Sequence, residues 1–295
     1  FQDCRLKAGR RYSEESARRN APVCSEAFLT KDGLKTGSAE MKEIISEIMR
    51  RSGIEIFGFC EFALISGHLL SCRALGRIPE NAKTVVSCAF PYKTEDAPPE
   101  LISRYAAVTD YHRICIPMLE SAARMLAERF PENRFEPFCD NSPVPEVAAA
   151  CCAGLGVRGD NGLLITEKYG SFVFLGEIVT DIEVECKNAF ARCPGCGKCE
   201  RACPRGELPC LSGVTQKKGE LSDREAQTLK ENRLLWGCDI CAEVCPLNKN
   251  AEKTQISAFL SGYRRRYTEG EDITGRAYEW RGEKCILRNY RNLNR

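Results

Sequence analysis

The sequence predicts an α+β protein in which a mixed α/β domain, residues 41–185, precedes a small cysteine-rich domain, residues 186–250. Two observations predict this class. Segments with helical and strand patterns alternate from Met41 onwards, and eight of the 19 cysteines fall in three tight groups between residues 193 and 245. The chain has 295 residues, of which 43% are hydrophobic and 28% charged, a composition typical of folded globular proteins.

The composition also excludes several functions. No apolar run approaches the ~20 residues that a membrane-spanning helix needs. The formal net charge of +2 is too small for whole-chain binding to nucleic acid, and the two histidines exclude a histidine-rich metal site. Residues 1–11 lack the apolar core of a signal peptide, and the grouped thiols have metal-ligand spacing. We therefore expect a cytoplasmic protein without a membrane partner.

The α/β domain is predicted to begin at Met41, because residues 1–40 show neither helical nor strand periodicity. We expect those forty residues to be an N-terminal arm that is poorly ordered or outside the fold. An apolar stripe at helical spacing, Ile44 to Met49, then predicts a first helix, which Gly53 ends.

Further elements follow in alternation. A long amphipathic helix is expected over about 100–130, bent or interrupted at Pro117. A small-residue helix is expected over 144–152. Strands are predicted over 54–59, 84–90 and 134–138, and a pair of strands joined to each other over 163–166 and 172–175.

The first cysteine group has the spacing of an iron–sulfur ligand loop. It reads Cys193-Pro-Gly-Cys196-Gly-Lys-Cys199-Glu-Arg-Ala-Cys203-Pro204, which is C-x2-C-x2-C-x3-C-P without a mismatch. Gaps of two residues let one loop present three thiolates to three irons of a 4Fe–4S cube. A zinc ribbon would instead use two separated CxxC pairs. We therefore predict a ferredoxin-like iron–sulfur domain.

The second group is the same motif without its first cysteine. It reads Cys238-Asp-Ile-Cys241-Ala-Glu-Val-Cys245-Pro246, and Leu235 stands where the missing cysteine would be. Cys210, between the two groups, is the candidate for the missing ligand. If the last cysteine of each motif binds the other cluster, eight thiolates serve two 4Fe–4S clusters. One cluster then takes Cys193, Cys196, Cys199 and Cys245, and the other takes Cys203, Cys210, Cys238 and Cys241.

The other eleven cysteines are scattered, and we expect most of them to be small buried apolar residues. In the α/β domain the residue of most interest is Asp140, which ends a predicted strand and precedes a predicted helix. From that position, side chains of an α/β sheet project into ligand crevices. A helix N-cap explains the residue equally well.

Many short segments match one known family in the same order. They are Lys83–Tyr92, Asp110-Tyr111-His112, Asp140 with Pro143, Ala153-Gly-Leu-Gly156, Gly159 with Asn161, Gly170–Glu177, Thr180-Asp181, Trp236-Gly-Cys-Asp239, Cys245-Pro-Leu-Asn248 and both cysteine motifs. From about Met41 to Asn250 the sequence resembles the epoxyqueuosine reductases. These are cobalamin-dependent iron–sulfur enzymes distantly related to reductive dehalogenases.

The resemblance implies a base-off cobalamin in the α/β domain and reduction of epoxyqueuosine to queuosine in transfer RNA. Electrons would come singly from a low-potential donor of flavodoxin or ferredoxin type. Asp140 matches the family's proton donor, and burial beneath an apolar macrocycle would raise its pKa and keep it protonated. The other positions implied to contact the cofactor are Tyr111, His112, Gly159, Asp160 and Asn161.

Two features depart from the family pattern. Asp160 stands where the family usually has lysine, which reverses a charge near the expected cofactor pocket. Family members that act on transfer RNA continue into helical repeats, whereas residues 251–295 form only a basic segment here. The sequence thus reads as a short version without those repeats, and we expect its basic end to be a solvated tail rather than a phosphate-binding surface.

Two other functions remain open at this point. The chain could be an electron-transfer protein that reduces the corrinoid of a separate partner, without binding cobalamin itself. It could also be a reductase of another small organic substrate.

Overall fold

A four-stranded sheet organises the region before the cysteine motifs. The computed structural model describes residues 32–186, 188 and 190–294. The sheet has the order β1-β2-β6-β3, and a second, two-stranded sheet pairs β4 with β5. The strands are β1 Phe57–Glu61, β2 Thr84–Pro91, β3 Phe135–Phe138, β4 Val157–Arg158, β5 Leu164–Ile165 and β6 Val173–Thr180.

Helices cover the sheet and make up the cysteine-rich region. Short 3-10 turns lie at Leu75–Arg77, Pro246–Asn248 and Glu279–Arg281. The α-helices are α1 Asp32–Arg51, α2 Ala63–Ser66, α3 Arg104–Ala107, α4 His112–Arg129, α5 Glu146–Cys152, α6 Lys198–Arg201, α7 Leu211–Thr215, α8 Asp223–Glu231, α9 Ile240–Glu243, α10 Ser257–Ser261 and α11 Glu283–Asn294.

Strand β2 is buried along its whole length, because helices pack on both faces of the sheet. Val86, Cys88 and Phe90 join a core that includes apolar residues of α1 and α4. The alternate residue Val85 packs in a second cluster with residues of α5. The period of two places successive side chains on opposite faces, so the prediction of a short buried strand here is confirmed.

The sheet differs from the expected one in its pairing. Strands β1, β2, β6 and β3 are all paired antiparallel. The predicted hairpin between 163–166 and 172–175 is wrong: β5 pairs with β4, while β6 runs on to Thr180 between β2 and β3. A single bridge, Thr166 to Gly170, lies within the turn that connects the two segments. Pairing along eight residues of β2 buries far more of β6 than a short hairpin would.

The helical predictions need two corrections. Helix α1 begins at Asp32, before Met41, although its buried side chains start at Ile45. Residues 1–31 of the predicted arm lie outside the described residues. The long helix is interrupted before α4 and not at Pro117, which lies inside α4. The interruption falls where Asp110 accepts a hydrogen bond from the amide of His112 and begins the new helix.

The expectation of a solvated basic tail is wrong. Phe259, Tyr278 and Ile286 belong to the same buried cluster as the residues of α1, α4 and β2. Basic side chains of this segment are used internally: Arg276 is buried and donates to the carbonyl of Gly262, and Arg288 donates to the carbonyl of Lys217. Segment 251–294 therefore completes the core, because its apolar side chains pack against those of α1, α4 and β2.

The fully buried Trp236 connects the cysteine motifs to this core. Its ring packs edge-on against Tyr278, and its carbonyl accepts from the amide of Ser103. Within the described residues, no helix is long and apolar enough to cross a membrane.

Gly237 offers a test of how closely the second cysteine motif packs on the α/β domain. Its φ is +72°, and a Cβ there would lie 1.9 Å from Oγ of Ser103. At Gly270, φ is +79° and no atom lies within 4 Å of the same position. Both alanine substitutions strain the backbone, but only Gly237→Ala also overpacks. Chemical denaturation should show Gly237→Ala losing about 1–3 kcal/mol more of the unfolding free energy than Gly270→Ala. Equal losses of unfolding free energy would mean that the Ser103 side chain moves aside without measurable cost.

Candidate active site

Asp140 lies on a tight loop between β3 and α5. Its φ is +54° and that of Asn141 is +20°, in or near the left-handed region, which Asp and Asn tolerate better than most residues. The loop is held from outside: the carbonyl of Asn141 accepts from Sγ of Cys72, and that of Pro143 accepts from the amide of Leu70. The backbone thus turns sharply at the residue that carries the carboxylate. Because the sheet is antiparallel, this turn and not a parallel-strand crevice positions Asp140.

His112 links two carboxylates at this loop. Its Nδ1 lies 2.8 Å from Oδ1 of Asp110, and its Nε2 lies 3.4 Å from Oδ2 of Asp140. The side chains of His112 and Asp140 are 36% and 32% exposed, so both are reachable from solvent and partly desolvated. The sequence implied only that His112 contacts a cofactor, and the structure brings it directly to Asp140.

This arrangement reverses the expected protonation of Asp140. Burial lowers the pKa of His112, but its hydrogen bonds to Asp110 and Asp140 outweigh burial and raise the pKa to about 10. Burial raises the pKa of Asp140, yet the His112 partner opposes it and the pKa lies below its ordinary value. The raised pKa was expected for Asp140 beneath a macrocycle, whereas the protein groups alone lower it. At neutral pH the pair is an imidazolium beside a carboxylate.

Two further carboxyls lie behind Asp140, and the sequence analysis assigned neither a role. Burial raises the pKa of Glu146 to about 7, and the charge of Asp140 adds to the shift. Burial likewise raises the pKa of Glu177 well above its ordinary value, although the hydroxyl of Ser142 donates a hydrogen bond to its carboxyl. One sequence signal could have revealed Glu177: it is the only acid in the otherwise apolar run Val-Phe-Leu-Gly-Glu177-Ile-Val.

Asp140 and Glu146 open onto a cleft with about 570 Å³ of empty space, including open solvent. Its lining is mostly apolar. The rings of Tyr111 and Phe174 stack in its wall, with centroids 4.4 Å apart and planes inclined by 14°. Burial raises the pKa of Tyr111 well above its ordinary value. The remaining lining residues are Val147, Gly162, Leu163, Leu164, Ser171, Val173 and Leu175.

Asn248 connects this cleft to the second cysteine motif. Its Oδ1 accepts from the amide of Ser171 at 2.9 Å, and its Nδ2 donates to Oγ of Ser171 at 2.6 Å. Nδ2 also donates to the carbonyl of Ala242 at 2.8 Å, within the motif. Gly170 allows the approach, because a Cβ there would lie 2.3 Å from Oδ1 of Asn248. A wall of the cleft and the Cys245 loop therefore form one hydrogen-bonded unit.

The predicted cofactor loop lies against the first cysteine motif. The amide of Cys193 donates to the carbonyl of Arg158, and Oδ2 of Asp160 is 3.8 Å from where a Cβ would stand at Gly195. Gly159 is buried in the turn, where a Cβ would lie 2.4 Å from Oδ1 of Asn161. The buried Nδ2 of Asn161 has no hydrogen-bond partner among the described residues. Asp160 thus faces the cysteine loop, while the neighbouring Gly162 lines the cleft.

Five of the eight predicted cluster ligands lie near another member of their predicted set. Burial raises the pKa of the Cys199 thiol, and the nearby Cys245 adds to the rise. Cys238 is similarly close to Cys241 and Cys210. Among the described residues, no three His, Cys, Asp or Glu side chains converge tightly enough to hold a single metal ion.

The expectation for the scattered cysteines holds for most of those that the structure describes. Cys72, Cys139 and Cys186 are partly exposed. Cys4 and Cys24 lie outside the described residues. The buried ones are Cys60, Cys88, Cys115, Cys151, Cys152 and Cys285.

Comparisons with known proteins agree with this architecture. The family profile described as "Epoxyqueuosine reductase QueG, DUF1730" matches residues 74–141. The epoxyqueuosine reductase of Listeria monocytogenes is 34% identical over 236 residues, which cover 69% of this chain and 61% of the relative. That of Synechocystis is 33% identical over 198 residues, covering 61% of this chain and 68% of the relative. The chain thus spans less than two thirds of the length of the Listeria relative.

A solved structure has the same fold. It is an epoxyqueuosine reductase with an epoxyqueuosine-modified tRNA-Tyr stem loop, and it matches with a TM-score of 0.72 and 26% identity. The match covers 87% of this chain and 81% of that one.

The fold and the cleft define a class of two-part proteins, in which an acid-bearing cleft of an α/β domain is joined to a segment with ferredoxin-type cysteine motifs. Since a relative that is 33% identical is covered over 68% of its length, this chain belongs to the epoxyqueuosine reductase family.

The protonation of His112 can be measured directly, because the chain has only two histidines. In a His68→Gln variant, the remaining histidine NMR signal should keep its protonated shift at pH 8 and titrate near pH 10. In His68→Gln with Asp140→Asn, one of the two flanking charges is lost, so the midpoint should fall. A midpoint below pH 7 in the single variant would contradict the pairing.

The same pair predicts how stability depends on pH. The pKa of His112 is raised on folding, so its contribution to stability is full below its unfolded pKa, near 6.5, and is lost as pH rises toward about 10. Thermal unfolding of wild type and His112→Gln should therefore differ most near pH 6 and converge as pH approaches 10. A difference that grows with pH would have the wrong sign.

Proposed function

We propose that this chain reduces epoxyqueuosine to queuosine in transfer RNA, using electrons that enter through two 4Fe–4S clusters and a cobalamin held in the cleft. The observation that carries the proposal is the Asn248 connection. It joins a cleft containing Asp140 and His112 to the loop of Cys245. Electron delivery and proton delivery would then meet at one place.

The positions of five cysteines support the proposal of two clusters. Cys199 lies near Cys245, and Cys238 lies near Cys241 and Cys210, which are the neighbours that the swapped-ligand assignment predicts. Gly195 and Gly197 have φ of +71° and +68°, which lets the first loop turn tightly around a cube. When bound, such clusters pass electrons one at a time. A low-potential flavodoxin or ferredoxin would be the donor, and the reduced thiols favour the cytoplasm.

The cleft residues fit a large and mostly apolar cofactor. The stacked Tyr111 and Phe174 offer an aromatic wall. Glu146 lines the cleft, and its buried Oε1 has no partner within the described part of the chain, so it has a hydrogen bond to offer a ligand. A bound cobalamin would supply the low-valent cobalt that reduces the epoxide. Gly162 leaves the mouth of the cleft open beside Leu163.

The chain's own residues manage the proton. His112 stores a proton between Asp110 and Asp140, and Asp140 presents its carboxylate to the cleft. A substrate oxygen that becomes negative at Asp140 would draw this proton through the hydrogen bond. Partial burial strengthens the interaction by excluding water. The tight loop holds Asp140 in place for the transfer.

The substrate assignment rests on family membership and on the neighbour structure with its modified stem loop. We do not propose Arg276 or Arg288 as phosphate contacts, because each donates a hydrogen bond to a backbone carbonyl within the protein.

Iron content tests the cluster assignment. Anaerobically reconstituted wild type should bind about eight irons per chain, by the ligand count of two cubes. Cys210→Ala removes a ligand from one cube only, so about four irons should remain. Cys186→Ala, which changes a partly exposed cysteine outside both motifs, should leave the iron content unchanged. Four irons in wild type, with no change in Cys210→Ala, would refute the assignment.

Activity tests the reaction. Wild type should bind about one corrinoid per chain and remove the epoxide from a modified stem loop, as followed by mass spectrometry of the nucleoside. Asp140→Asn keeps the shape but not the proton path, so the rate should fall about 10²–10⁴-fold. Asp223→Asn, an exposed aspartate of α8, is the matched control and should be as active as wild type.

Binding of corrinoid without epoxide loss would point to a different substrate. A protein that binds no corrinoid would instead be an electron carrier for another protein.

A further inference from the structure

We propose that Glu146 is a second acid of the site and donates one of the two protons that epoxide reduction consumes. This inference rests on the proposed function, which supplies the electrons and the substrate.

The stoichiometry of the reaction requires two protons. Removing an epoxide oxygen as water breaks two carbon–oxygen bonds, leaves a carbon–carbon double bond, and takes up two electrons and two protons. The electrons come from the low-potential donor through the proposed clusters. The His112–Asp140 pair stores one proton, so a second must come from another group or from water. A partly desolvated cleft favours a protein group, provided one faces the same space.

Glu146 meets that geometric condition. It lines the same cleft as Asp140. Its Oε1 is buried and has no hydrogen-bond partner among the described residues. The backbone amide of Asp140 lies within hydrogen-bonding reach of the Glu146 carboxyl. The sharp turn at Asp140 therefore brings the side chains of Asp140 and Glu146 to one cleft. Oε1 of Glu146, which has no protein partner among the described residues, can bond to a ligand there.

The surroundings of Glu146 also keep a large fraction of its carboxyl protonated at neutral pH. Burial and the negative charge of Asp140 raise its pKa to about 7, against an opposing effect of the positive charge of His112. The ordinary glutamate value would leave almost no acid form at pH 7. The titratable groups that face it from the neighbouring elements are Asp140, His112, Tyr111, Cys139 and Glu177.

The alternatives nearby suit the role less well. Glu177 is 1% exposed, accepts a hydrogen bond from Ser142 and is not among the residues that line the cleft. The pKa of Tyr111 lies well above its ordinary value, so its proton is hard to release. Glu146, by contrast, lines the cleft, has a pKa of about 7, and has a carboxyl oxygen without a partner among the described residues.

Infrared spectroscopy tests the protonation without any turnover. The reconstituted wild type should show a protonated-carboxyl band at pH 6 that disappears with a midpoint near pH 7. That band should be absent from Glu146→Gln, which keeps the size and hydrogen-bonding capacity of the side chain. Equal iron content, corrinoid binding and thermal stability would confirm that the variant is folded. Identical band intensity in both proteins would overturn the proposal, whatever the activity.

Single-turnover reduction tests the catalytic role. With pre-reduced protein, the wild-type rate should fall above pH 7 as Glu146 loses its proton. Glu146→Gln should be about 10²-fold slower and lack that decline. Glu146→Asp retains an acid on a shorter chain, so it should recover part of the rate and the pH dependence. This second variant also answers the question if Glu146→Gln does not fold.

The outcomes separate the two proposals. If wild type reduces epoxyqueuosine and Glu146→Gln does so at the same rate, only the acid role of Glu146 fails. If wild type does not reduce epoxyqueuosine at all, the proposed function fails, and the role of Glu146 in that reaction fails with it.

Discussion

The two-way hydrogen bonding between Asn248 and Ser171 is the constraint on which the site depends. A wall of the cleft is built from β5, β6 and the turn before β6, whereas the Cys245 loop belongs to the cysteine-rich region. Because one amide side chain bonds both partners, the two regions have a fixed separation. Gly170 makes this possible, since any side chain would collide with Asn248. The proposed electron transfer from the cysteine-rich region to the cleft would depend on this rigidity.

The cleft then separates its acids by environment. Asp140 stays ionised beside the His112 imidazolium, while Glu146, a few residues further along the chain, is desolvated beside a negative charge and titrates near neutrality. Carboxyls of one chemical type thus acquire different roles through burial and neighbours. Proton storage over an ion pair and a neutral acid would suit the proposed reaction, which consumes two protons.

The C-terminal segment contributes by packing rather than by charge. Tyr278 packs on Trp236, next to the second cysteine motif, and Arg276 is buried with its guanidinium bonded to backbone carbonyls. Removing these contacts from the core would expose Trp236 and loosen the motif that follows it. The segment is therefore part of the scaffold that holds the cysteine motifs, even though its composition resembles a basic tail.

Local patterns in the sequence determined the elements whose causes are local. The spacing of the cysteines, the buried strand β2 and the position of Asp140 between a strand and a helix all depend on neighbours along the chain. Only the tertiary structure decided the partner of β6, the packing of 251–294 and the protonation at the cleft. His112 meets Asp140 across 28 positions of sequence, and Glu177 reaches Ser142 from another strand. Periodicity carries no information about such long-range pairs, because they arise when separate elements pack together and change each other's dielectric surroundings.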